Sequence, residues 1–93
     1  MTMTPNEIYK KAVSHYGLNH QLIKLAEECA ELAVECHHMA DGRSTVDRLA
    51  GEIADVEILI SQIYVAIPEI FAEARFLAIE KADRLERRIL ERE

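Results

Sequence analysis

With 93 residues the chain has room for one domain, residues 1–93, and its 49% hydrophobic and 30% charged residues mark it as globular rather than disordered. A net charge of −6 and a pI near 5.2 argue against a nucleic-acid polymer or an anionic membrane as partner, since both want a basic face. Three glycines and two prolines leave little punctuation for a β-rich fold.

Thr4-Pro5-Asn6-Glu7 reads as a capping box with proline in the first turn, and predicts a helix that runs to about Tyr16 and stops at Gly17. Asn19 is placed to cap a second helix, from His20 to about Ala40, which Gly42 ends. Ser44, with Asp47 three residues on, is placed to cap a third, whose apolar period runs Leu49, Ile53, Val56, Ile60, Ile63, Ile67. Pro68 interrupts that period. A fourth helix, from about Glu69 to Arg92, uses Ile70, Phe71, Ala74, Leu77, Ala78, Leu85 and Ile89. The expectation is an all-α chain of four helices with no strand, repeat or linker.

The longest apolar run, VEILISQIYVAI, contains Glu57, Ser61 and Gln62 and falls short of the roughly 20 residues that span a bilayer. No secretory leader opens the sequence, so a cytoplasmic location is expected. Cys29 and Cys36 lie about 10 Å apart along a helix, too far to bridge, and are expected as free thiols packed in a core.

The stretch EECAELAVECHH, residues 27 to 38, sets carboxylates beside apolar surface. At about 100° per residue, Leu22, Leu25, Cys29, Leu32 and Cys36 form one apolar stripe, and Ile23, Ala30 and Val34 a weaker one. Between them runs a polar line, Gln21, Lys24, Glu28, Glu31 and Glu35, with His38 at its end and Glu27 off to one side. Helix three offers Glu52 and Asp55 at the same spacing of three, on the edge of its apolar stripe. Two antiparallel neighbours would then face each other with a carboxylate pair apiece. Four such groups do not all stay ionised without a cation, and oxygen-only ligands on rigid helices suit Mg²⁺ or Mn²⁺. A single Glu-x-x-Glu is an ordinary exposed pair; two pairs on adjacent helices, each bordered by core residues, favour a metal site. A di-iron bundle would need two Glu-x-x-His motifs, and Glu35 to His38 supplies one.

These residues resemble a known family. EECAE, a 20-residue gap and then EIAD (Glu52-Ile53-Ala54-Asp55) is similar to the EExxE…ExxD signature of MazG-type nucleoside triphosphate pyrophosphohydrolases, within the all-α pyrophosphatase superfamily that includes dimeric dUTPases and phosphoribosyl-ATP pyrophosphohydrolase. QLIKLAEECAEL, EIADVEILI and KADRLERRI extend the resemblance over roughly residues 16 to 89, after the small single-domain phage or bacterial members. It implies a four-helix bundle of that superfamily's type, assembled as a homodimer or a dimer of dimers, that cleaves a (d)NTP to a (d)NMP and pyrophosphate. The implied metal ligands are Glu28, Glu31, Glu52 and Asp55, holding Mg²⁺.

Glu27 is either the residue that orients or deprotonates the attacking water or a solvated glutamate; as a catalytic pair the resemblance implies Glu27 and Glu28. Lys81 matches a phosphate-contacting position, against the alternative of an exposed lysine paired with a glutamate. Lys24 neutralises the cluster or touches phosphate, the former favoured, and Arg84 is a weaker phosphate candidate on a surface position. Many relatives carry Trp-Gly where this chain has Tyr16-Gly17; Tyr16 or His20 is placed to stack on a base or to serve structure. Leu59 stands where some relatives keep an aromatic. The reading from another class is a catalytically silent, metal-stabilised helical oligomer that binds a nucleotide or a protein. Helix three is apolar on several sides, with Ile58 and Val65 pointing away from the Ile53, Ile60 and Ile67 face, so a second copy is expected against helices three and four.

Overall fold

The computed structural model describes residues 2–92, and these form four helices and no strand: α1 (Pro5–Tyr16), α2 (Leu18–Ala40), α3 (Val46–Ala66) and α4 (Pro68–Arg92). Each boundary has a local cause. The Thr4 hydroxyl accepts from the Glu7 N–H at 3.2 Å and opens α1. One residue, Gly17, separates α1 from α2. It sits at φ 93°, a conformation L side chains rarely adopt, and its N–H closes α1 on the Val13 carbonyl. The second helix therefore starts at Leu18, and Asn19 lies inside its first turn rather than capping it.

Thr45, not Ser44, caps α3, accepting from the Arg48 N–H at 3.2 Å. Ser44 is used otherwise: its hydroxyl donates to the Glu35 carboxylate of α2. Two adjacent hydroxyl residues were both competent to cap, and a long-range acceptor decided between them. Ile67, the residue before Pro68, leaves the helical region at φ −132°, ψ 82°, and so breaks α3 from α4. Across this corner the Tyr64 and Phe71 rings meet edge to face at 5.1 Å, and the Arg75 guanidinium lies over both.

α2 and α3 form an antiparallel hairpin. Gln21 meets Gln62 at one end, Glu28 meets Glu52 in the middle, and Glu35 meets Ser44 at the other end. α1 packs mainly on α3, while α4 packs on α3 alone. The buried apolar residues, Val56, Leu59 and Ile63, all belong to α3. The radius of gyration is 16.3 Å, against about 12 Å for a compact chain of this length. The fold is a three-helix cluster with α4 extending from it.

Two expectations about the core need correction. Cys29 and Cys36 are exposed, not packed in a core, and with them much of the predicted α2 stripe, including Leu22 at 40%. Ile53 of the α3 period is also exposed at 40%, while Leu59 and Gln62, outside that period, are buried. The cause is one rotation: α2 turns its polar line toward α3, with Gln21, Glu28 and Glu35 seven residues apart on the facing side. Periodicity identifies faces but does not decide which of two flanked faces meets the neighbour.

Candidate functional site

The inward rotation of α2 places three carboxylates together. One oxygen from each of Glu28, Glu31 and Glu52 lies within 4.8 Å of the other two. The Glu28 side chain is 12% exposed and Glu52 is half-buried, whereas Glu31 opens to solvent. Oε2 of Glu28 and Oε2 of Glu52 are both sealed from solvent and have no hydrogen-bond donor among the described residues. A buried carboxylate oxygen without a donor is costly, and both of these oxygens belong to residues of the three-carboxylate group.

The electrostatics agree with the crowding. The Glu28 carboxyl is raised above its ordinary value of 4.5, first by desolvation, then by its hydrogen bond and charge interaction with Glu31 and by the charge of Asp55; Lys24 opposes this. The Lys24 ammonium stands 3.6 Å from Glu28 and 3.8 Å from Glu27 along the same helix.

Asp55 is exposed and stands outside the three-carboxylate group, acting on Glu28 by its charge. It lines, with Glu27 and Glu28, a cleft of about 500 Å³ whose other walls include Tyr16, His20, Gln21, Lys24, Ile58 and Leu59. Glu27 lies at the rim with its side chain 61% exposed. Tyr16 and His20 stack at 5.5 Å with their rings 19° apart. His20 Nδ1 lies 2.7 Å from Gln21 Oε1, an oxygen that only accepts, so this nitrogen carries the proton. Gln21 Nε2 in turn donates to Gln62 Oε1 at 2.7 Å. The aromatic wall is thus tied through Gln21 to a buried amide on α3.

Gln62 was no site candidate in the sequence. Its signal was available: a glutamine inside VEILISQIYVAI, buried only if another polar group meets it. Lys81 and Arg84 are exposed on α4, which does not pack on α2 within one chain. Arg84 shares a surface groove with Glu80, Asp83 and Arg87. The Glu35-x-x-His38 pair closes at 4.0 Å, but Glu35 is engaged by Ser44 at the far end of the hairpin and lies outside the carboxylate cluster. Among the described residues, no helix is long and apolar enough to cross a membrane.

The crowding predicts a pH response of the metal-free protein. A carboxyl whose folded value is raised contributes stability that is fully present below its unfolded value of 4.5 and lost as pH rises through the folded value. Thermal melts without divalent cation are therefore expected to weaken from mildly acidic toward neutral pH. Glu28→Gln, which cannot ionise, should flatten the profile. A wild-type profile parallel to that of Glu28→Gln would mean the carboxylates do not interact.

The chain matches no protein-family model, no curated protein and no solved structure.

Proposed function

We propose that the protein is a Mg²⁺-dependent nucleoside triphosphate pyrophosphohydrolase, releasing a nucleoside monophosphate and pyrophosphate. The observation that carries the reading is the pair of sealed, donorless oxygens on Glu28 and Glu52 within a three-carboxylate cluster at the edge of a cleft. The EECAE…EIAD resemblance supports it, with Glu28, Glu31 and Glu52 as ligands and Asp55, which lines the cleft with Glu28, as the fourth. Mn²⁺ suits the same oxygen donors.

Bound at these carboxylates, Mg²⁺ would neutralise phosphate charge and acidify a water to the attacking hydroxide. The chain's own residues do the rest. Glu27, exposed at the cleft rim, is placed to orient or accept a proton from that water. Lys24 offsets the charge of Glu28 before substrate arrives. Tyr16 and His20 present a stacked edge to a base, and their link through Gln21 to Gln62 holds that edge still. Lys81 and Arg84 contact phosphate only if supplied by a second copy, because α4 does not reach α2 in its own chain. Homo-oligomerisation is part of the proposal.

A second reading has its own observation. α4 buries none of its 25 residues within the chain, as an assembly element would. On that reading the carboxylates hold a structural cation in a silent helical oligomer. Pyrophosphate release from a panel of ribo- and deoxyribonucleoside triphosphates separates the two. We expect release with Mg²⁺ that EDTA abolishes; a panel with no turnover in either condition would leave the silent oligomer as the better reading.

A further inference from the structure

The Gln21–Gln62 pair does more than anchor an aromatic wall: it sets the proton on His20. Both amides are buried, at 5% and 6% exposure. Gln62 Oε1 accepts from Gln21 Nε2, which leaves Gln21 Oε1 to face His20 Nδ1. Turning Gln21 alone would set its oxygen against that of Gln62, two acceptors facing each other in a buried place. His20 Nδ1 therefore donates, and in the neutral ring Nε2 is left without a proton, able only to accept. His20 is exposed and lines the cleft, while Nδ1 is turned to the buried amide. Nε2, on the other edge of the ring, then stands on the open side. Glu28 lies eight residues further along α2, about 12 Å of helical rise. A ribose and its base reach that far from a phosphate held near the carboxylates, with Ile58 and Leu59 of α3 as an apolar wall beside them.

We propose that His20 Nε2 selects amino-bearing bases, adenine and cytosine, over uracil and thymine, with Gln21 and Gln62 as positioning residues. The inference rests on the nucleotide reading of the cleft, and not on hydrolysis there. A ring nitrogen without a proton needs an N–H from the base. The adenine N6 and cytosine N4 amino groups project from the base edge and offer one. The N3–H of uracil and thymine lies between two carbonyl oxygens, which would crowd the Nε2 lone pair. The charged groups of the cleft act in the same direction. Glu27, Glu28 and Asp55 stand against Lys24 alone, and Lys24 is already paired with Glu27 and Glu28. Such a rim favours a donor edge over a carbonyl edge.

Nucleoside monophosphates, which have no pyrophosphate to lose, test the preference apart from turnover. Titrated in Mg²⁺, AMP is expected to bind roughly two- to tenfold tighter than purine riboside monophosphate, the same base without its amino group, the scale of one hydrogen bond. CMP should exceed UMP by a similar factor. Nitrogen-15 spectra of the His20 ring in mildly alkaline buffer should show Nδ1 protonated and Nε2 bare, and AMP should shift the Nε2 resonance. Gln62→Leu removes the acceptor that fixes Gln21, so the ring should populate both tautomers and the AMP preference should fall toward one. Gln62→Glu, whose oxygens only accept, should keep both the tautomer and the preference. Should Gln62→Leu unfold, the wild-type spectra and titrations still decide. Equal affinity for AMP and purine riboside monophosphate, a proton on Nε2 in the wild type, or no binding of either nucleotide would overturn the proposal. Pyrophosphate release together with equal affinities would sink the selection and keep the hydrolase. Selective AMP binding with no release from any triphosphate would do the reverse.

Discussion

Replacing Ile63 with Ala is expected to lower unfolding stability by about 2–5 kcal/mol, the range for truncating a buried aliphatic side chain to alanine. Ile63 is 5% exposed and is one of three buried apolar residues, one turn beyond Leu59 and two beyond Val56 on the same side of α3. Small domains hold only about 5–15 kcal/mol in total, and one with so thin a core stands toward the low end. The loss would therefore leave Ile63→Ala substantially unfolded at modest urea. Ile79→Ala is the control: Ile79 is 72% exposed, so its loss should stay within about 0.5 kcal/mol. Urea melts at one fixed protein concentration, so that association is held constant, should rank the two far apart. Equal midpoints would mean that α3 is not the core.

The helical architecture was legible in the sequence because its punctuation is local. Thr4 before Pro5, Gly17 and Pro68 each act within one turn, and the boundaries they set agree with the structure to within a residue or two. The choice between Ser44 and Thr45 as cap was not legible, because it depends on Glu35 reaching across the hairpin. The apolar periods were visible, but their assignments were not. Leu22, Cys29 and Cys36 read as core because the sequence offers no partner on which to count them as exposed. The candidate site shows the same division. The i, i+3 pairs on α2 and α3 were readable from spacing, and the rotation of α2 brings three of those four carboxylates, Glu28, Glu31 and Glu52, together. That Asp55 stands outside the group, and that Gln21 and Gln62 tie the aromatic wall to the core, are consequences of the angle between two helices. Spacing within one helix carries no information about that angle.

Glu52→Gln is expected to reduce pyrophosphate release by about 10²–10³-fold, the scale for deleting one group that stabilises transition-state charge in a preorganised site. The substitution keeps the size of the side chain and removes its charge, so the packing of α2 on α3 should survive. It replaces one member of the three-carboxylate cluster whose Oε2 is sealed and has no donor. Two effects on the folded state then go in opposite directions. Without divalent cation the variant replaces a sealed, donorless carboxylate oxygen and should melt no lower than wild type, provided the new amide finds an acceptor among Glu28 and Glu31. With Mg²⁺ the wild type should gain stability by mass action, about 2.7 kcal/mol at a hundredfold excess over Kd, and the variant should gain far less. A solvated surface glutamate would behave differently in two respects: hydrolysis unchanged, and the same Mg²⁺ shift in both proteins. Thermal melts of wild type and Glu52→Gln, each with Mg²⁺ and with EDTA, together with single-turnover pyrophosphate release, decide between these outcomes. Native-rate turnover by Glu52→Gln, or an equal Mg²⁺ shift in both proteins, would remove Glu52 from the site and leave Glu28 and Glu31 as an ordinary pair on one helix.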